Sequence, residues 1–329
     1  MASTMSSGPR PLIGYHCSHE QHRPGSLLAN VQAAEESGFG AAMCSDHFSP
    51  FGMAQGQSGF AWTWLGAALA TTRLTFGTVT APGQRYHPAV AAQAAATVAD
   101  MFPGRFWWAL GTGQAINEHI TGDTWPTKGQ RRARLRECVD VIRALFRGEV
   151  VTHMGLVHVR EAQLFTRPQV PPLLLGAAIG EDSAEWVGGW ADGLITIARS
   201  SDELRGVVEA FRRGGGVGKP MFLQSAISYA RDEGHAEAVA SAQWRTNVLG
   251  SPDLTTDIAR PDLLDAIARL VPLEQVRAGV RISASLAQHA AWIASDAELG
   301  FERIFLHHVG LEQSDFIADF GRNVLPQFA

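Results

Sequence analysis

The stretch LTFGTVTAPGQRYHPAVAAQAAATVADMFPGRFWWALGTG, residues 74–113, decides how this chain folds. Leu74 to Val79 is a short run rich in β-branched and aromatic residues, which suits a buried strand. His87 to Met101 is alanine-rich and predicts a helix. Phe106 to Leu110 is a second apolar strand. A strand, a helix and a strand in succession make a parallel pair, with the helix crossing back over the sheet.

The rhythm repeats in both directions. Further strands are expected at Pro11 to Tyr15, Ala41 to Cys44, Leu173 to Leu175, Gly193 to Ile197, Met221 to Ser228 and Arg303 to Leu306. Ser26 to Ser37 carries Leu27, Leu28, Val31 and Ala34 at helical spacing, and Gly38 closes it. Other helices fit 62–71, 128–146, 183–188, 202–213, 261–270, 285–299 and 314–324. About eight strand–helix pairs predict an α/β protein built as a closed (β/α)8 TIM barrel. Residues 1–329 are expected to form one such domain, and the first ten to be a loose polar segment.

Stretches 45–59, 111–127 and 147–172 are too long for tight connections. The first two follow strands, which places them at the C-terminal face, where barrel active sites are built. The third holds a small hairpin around Val157 to Val159. Residues 234–260 read as an irregular insertion centred on Trp244 and Arg245.

The chain is 46% hydrophobic and 18% charged, with a net charge of −5 and no basic block, which argues against nucleic acid and anionic membranes as partners. Lysine occurs only as Lys128 and Lys219. A Schiff-base lysine or a lysine phosphate clamp therefore has almost no candidates. Cys17, Cys44 and Cys138 are far apart and give no disulfide framework. With no signal-like apolar core at the start, the expectation is a soluble cytoplasmic protein.

Asp46-His47 lies just past the second strand. An acid beside a histidine suits proton transfer near a redox ring, and equally suits a capping aspartate with an ordinary loop histidine. Gly111-Thr112-Gly113 follows the fourth strand. Its glycines admit close backbone approach to a ligand, or simply form a turn. It is no dinucleotide fingerprint, because Ile116 replaces the third glycine. His16, His19 and His22 recur every three residues, but at the end of a strand that period gathers nothing on one face, so no metal site is assigned. His307-His308 ends the last strand, with one ring facing the mouth and the other the wall. No G-x-S-x-G elbow is present.

Four blocks in order carry a resemblance: Gly14-Tyr15 with Ser18-x-Glu20-Gln21; Ser45-Asp46-His47-Phe48-x-Pro50; Arg85-Tyr86-x-Pro88-Ala89-Val90-x-x-Gln93; and Gly111-Thr112-Gly113 with Asn117-Glu118. Together they resemble the luciferase-like flavin and deazaflavin oxidoreductases, near the deazaflavin-dependent glucose-6-phosphate dehydrogenases. The resemblance implies a barrel, usually dimeric, with the cofactor ring at the C-terminal mouth. Asp46 would contact the ring's polar edge, and His47 would be the acid or base. Thr78 and Val79 would back the ring, where the family often has a non-proline cis peptide. Gly111, Thr112, Gly113 and Asn117, with Gly176, Ala177 and Ala178, would hold the cofactor's chain. Glu20, Phe51, Trp62, Arg199 and His307 would face a small-molecule substrate.

Gln114 stands where the dehydrogenases carry an acid/base glutamate, and Phe51 where they carry a tryptophan. Ser200 or Arg199 and Ala266 stand where they carry phosphate-binding lysines, which argues against a sugar phosphate. Phe48, Phe51, Trp62, Trp64, Trp125 and Trp244 would give the mouth aromatic walls and an apolar or planar substrate. The expected cofactor is FMN, with coenzyme F420 as the alternative. The expected activity is hydride transfer with His47 as acid/base. Two alternatives are a monooxygenase fed by a partner flavin reductase and a cofactor-binding protein without turnover.

Overall fold

The computed structural model describes residues 10–249 and 252–329, so the first nine positions of the expected loose segment lie outside the described residues. The barrel strands are β1 (Leu12–Cys17), β2 (Ala41–Ser45), β3 (Thr75–Thr80), β4 (Phe106–Leu110), β5 (Leu174–Ala177), β6 (Gly193–Ile197), β7 (Met221–Ser228) and β8 (Arg303–His308). Each pairs in parallel with the next, and β8 pairs with β1, so the sheet closes. The residue pair Arg281–Ile282 adds a short parallel strand against the end of β7.

Alternate residues fill the interior. Ala41, Met43, Trp107, Ala109, Leu175, Ile195, Phe222 and Phe305 form one buried cluster there. The Trp107 ring centroid lies 5.1 Å from that of Phe222 and 5.4 Å from that of Phe305. Three such rings fit only because Gly77 has no side chain: a Cβ there would come within 1.9 Å of the indole. Gly77→Val should therefore destabilise the protein by about 3 kcal/mol, as overpacking does. A fall in the urea midpoint at constant m would register it, and an unchanged midpoint would contradict this account of the core.

The second core layer lies between strands and helices. Trp62 packs edge-on against Trp108 and Phe106, and Trp64 against Phe76. This corrects their expected place at the mouth: both are turned into the wall. The expected hairpin forms from Val151–Met154 and His158–Ala162. The expected irregular insertion does not hold as such. The connection from β7 to β8 carries helices Glu233–Trp244, Pro252–Asp257, Pro261–Ala268 and Leu273–Gly279. Buried Phe51, Ile116, Trp244, Leu264, Val276 and Val309 form a separate core that seats these helices on the loops after β2, β4 and β8. Among the described residues every peptide bond is trans, and no helix is long and apolar enough to cross a membrane.

Candidate active site

β1 and β2 deliver the central pair. β1 ends at Cys17, opposite Cys44 of β2, so the two loops that follow leave the barrel side by side. His47 Nδ1 meets Glu20 Oε1, with the Glu20 side chain buried and that of His47 25% exposed. The other carboxylate oxygen of Glu20 accepts hydrogen bonds from Ser45 Oγ (2.6 Å) and Ser18 Oγ (2.9 Å). Ser45 in turn accepts the His19 amide at 3.0 Å, which locks the two loops together. Burial would raise the Glu20 pKa, but the charge of His47 and the hydrogen bonds from His47 and Ser45 outweigh it and hold the carboxyl well below its ordinary range. An anionic Glu20 engages Nδ1 and fixes the ring, which leaves Nε2 for a ligand.

Asp46, expected at the polar edge of a cofactor, has a structural part as well. It is 3% exposed, and each of its carboxylate oxygens already accepts a hydrogen bond. Tyr86 donates to one oxygen at 2.9 Å, Thr80 donates to the other at 2.9 Å, and Arg85 bonds the Asp46 carbonyl at 2.8 Å. Arg85 also pairs with buried Glu118, whose pKa burial raises although Arg85 opposes the shift. Asp46 thus anchors the loop that presents His47. Asn117 helps in the same way, because its side-chain oxygen accepts the amides of Phe48 (2.9 Å) and Ser49 (3.2 Å).

Side-chain alternation sorts the remaining candidates. Thr78 is fully buried and donates to the Cys44 carbonyl at 3.1 Å, so it belongs to the wall, whereas Val79 is partly exposed at the mouth. Gly176 faces Val187 in the helical layer and Ala178 is buried, while Ala177 is partly exposed. A Cβ at Gly111 would stand 3.7 Å from Ala177 and 3.9 Å from Val79, so these three small residues form one face. Gly111, Thr112, Gly113 and Gln114 are all partly exposed, and Gly113 has φ +81°, a conformation that favours glycine. Gln114 receives only a 3.4 Å contact from Asn117.

His307 is buried, and both of its nitrogens are taken, by Gln21 (2.9 Å) and Gln224 (3.3 Å). Its ring stacks on His16 at 4.1 Å and meets the Trp244 edge at 4.7 Å. Burial and the neighbouring His16 keep its pKa well below the usual histidine range. It floors the mouth and does not present a nitrogen to substrate, while His308 packs on Phe316 in the wall. Phe51 sits edge-on to His47 at 5.2 Å. Arg199 pairs with Glu203 at 3.3 Å. Of the expected aromatic lining, Trp62 and Trp64 are turned into the wall, whereas Phe48 is exposed, Phe51 packs on His47 and the Trp125 ring lies beside Gly113. Sequence reading missed the supporting parts played by Ser18, Gln21, Thr80, Arg85, Tyr86 and Gln224, although four of these six stand in the quoted blocks.

The family described as luciferase-like monooxygenase matches residues 12–303. An F420-dependent glucose-6-phosphate dehydrogenase from Beutenbergia cavernae is 33% identical over 327 residues, 96% of each chain. An F420-dependent hydroxymycolic acid dehydrogenase from Mycobacterium tuberculosis is 33% identical, covering 98% of this chain and 91% of that one. The solved structure of an F420-dependent secondary alcohol dehydrogenase, in complex with an F420–acetone adduct, superposes with a TM-score of 0.90 at 27% identity. It covers 98% of this chain and 100% of its own.

Proposed function

The chain belongs to the luciferase-like monooxygenase family, and from that premise we propose that it is a coenzyme F420-dependent oxidoreductase acting on the hydroxyl-bearing carbon of a small organic substrate. The observation that carries this reading is the Glu20–His47 pair, held at the barrel mouth beside the small-residue face of Val79, Gly111 and Ala177. The related dehydrogenases all carry F420 in their names, which supports F420 and replaces the expectation of FMN.

The residues present fit a flat ring. The Val79–Gly111–Ala177 face is one that a side chain at Gly111 would narrow, and Gly113 takes a backbone conformation suited to close approach. Gly111, Thr112 and Gly113 would hold the chain of the cofactor. When bound, the deazaflavin ring supplies a hydride acceptor. His47 Nε2 takes the proton of the substrate hydroxyl as the carbinol hydrogen leaves with its electron pair, so that a carbonyl forms. Glu20 holds the imidazole during this transfer. Gln114 has no ionisable group, so the proton falls to His47.

Titration of F420 and FMN into the purified protein, followed by cofactor fluorescence, tests the assignment. F420 is expected to bind at least about tenfold more tightly, a difference of about 1.4 kcal/mol. Tighter FMN binding, or an oxygenated product made with reduced FMN, would overturn the assignment in favour of the monooxygenase alternative.

A further inference from the structure

We propose that Trp125 is a positioning residue that straps loop 111–127 to the helices between β7 and β8, so that the glycine turn at Gly113 keeps its shape only while those helices are docked. This deepens the oxidoreductase reading, and rests on it for what the turn holds. The outer edge of the Trp125 ring packs against the turn: a Cβ on Gly113 would stand 3.5 Å from it. Gly113 has φ +81° and no side chain with which to fix itself, so its conformation depends on such neighbours.

The ring is gripped at its opposite edge and on one face. Its Nε1–H donates to Asp257 Oδ1 at 2.9 Å, and Asp257 is the last residue of helix Pro252–Asp257 in the connection from β7 to β8. The Arg131 guanidinium lies 4.6 Å from the ring centroid, in cation–π contact. Arg131 is buried in the first turn of helix Lys128–Arg147, bonds the Pro126 carbonyl at 2.8 Å and pairs with Asp257 at 3.4 Å. One carboxylate thus serves both the indole and a buried cation. Lifting the helices away would leave Arg131 buried without its counter-charge and Trp125 without its acceptor, a cost that keeps them docked.

The loop is seated a second time and passes its order on. Ile116 is fully buried in the core that these helices share with Phe51, Trp244 and Val309. Asn117, next to it, accepts the amides of Phe48 and Ser49, which follow His47. Docking of one set of helices therefore orders the glycine turn through Trp125, and the His47 loop through Ile116 and Asn117. By linkage, a cofactor that holds the turn also holds the helices down.

Amide hydrogen exchange of the cofactor-free protein reads the strap directly. The probes are the Asn117 and Glu118 amides, which bond the Gln114 carbonyl at 3.0 and 3.1 Å just past the turn. Trp125→Phe keeps a ring over Arg131 and removes the N–H, and Asp257→Ala removes the acceptor. Each should speed exchange at these amides by about tenfold, as loss of a hydrogen bond to a charged group does. Exchange at barrel-strand amides should stay as in wild type, which a general loss of stability would not allow. The double variant should be no faster than Asp257→Ala alone, because both changes break the same strap. In stopped flow, F420 should leave Trp125→Phe about tenfold faster than wild type, and F420 should slow exchange in residues 252–268 of wild type more than in the variant. Wild-type exchange at Asn117 and Glu118 in both single variants, additive effects in the double variant, or unchanged F420 release would each overturn the proposal. Failure of the cofactor assignment would look different: F420 would not bind wild type, yet the variants would still loosen the loop.

Discussion

On the proposed function, His47→Ala is expected to lower kcat/KM for F420 reduction by about 10²–10⁴-fold, the usual contribution of a positioned general base. The loss falls on kcat, because the proton moves only as the hydride leaves, and F420 binding stays within about twofold of wild type. Glu20→Gln is expected to lie between the two. An amide can still hydrogen-bond Nδ1 and the hydroxyls of Ser45 and Ser18, but it brings no charge to the ring. If Glu20 acts through His47, its variant should alter the pH profile of kcat while leaving KM nearly unchanged. Glu20→Asp, which keeps the charge at shorter reach, should recover part of the rate. If His47→Ala matched wild type in kcat at every pH, proton transfer by His47 would be ruled out.

Much of this arrangement could be read from residue order, and the part that could not has physical causes. The barrel was legible because strands buried on both faces read as continuous apolar runs, such as Phe106 to Leu110, between helices with regular apolar spacing. Helix Glu233–Trp244 escaped notice because it buries only Ala236, Ala240 and Trp244, a stripe too thin to stand out among other alanines. Thr78 and Val79 were assigned together to the mouth, yet the period of two along a strand already sends one of them to the wall. The same rule separates Ala177 from Gly176 and Ala178. Asp46 could not have been resolved in this way. Whether a carboxylate is open to a ligand depends on which lone pairs are taken, and its partners Thr80, Arg85 and Tyr86 lie 34 to 40 positions later. Trp62 and Trp64 misled because an aromatic residue near a mouth loop looks the same in sequence whichever way its helix turns.

Acidification from pH 7 to pH 5 is expected to remove several kcal/mol of stability, before any carboxylate is involved. Burial pushes His16, His19, His289 and His308 each down to about 4, and His307 well below its ordinary range. An unfolded histidine titrates near 6.5. Above about 6.5 both states hold these rings neutral, and the full stability is present. Below it the unfolded chain takes up protons that the native state refuses until its own lower pKa is reached, so stability falls as the pH drops. Each pH unit within that window costs about 1.4 kcal/mol per ring. Even three such rings, discounted by half, remove about 3 kcal/mol by pH 5, a large share of a typical 5–15 kcal/mol. Carboxylates held low, such as Glu20 and Asp319, contribute their loss only below about pH 4.5, outside this window. Urea midpoints at pH 7, 6 and 5 measure the slope, and a midpoint independent of pH would refute the account. His19 isolates one ring, because it is fully buried, neither nitrogen has a protein hydrogen-bond partner, and its edge packs on Trp64. His19→Leu removes no hydrogen bond and keeps most of the volume. It should cut the pH slope by about one proton, so that the variant gains on wild type as the solution becomes more acid.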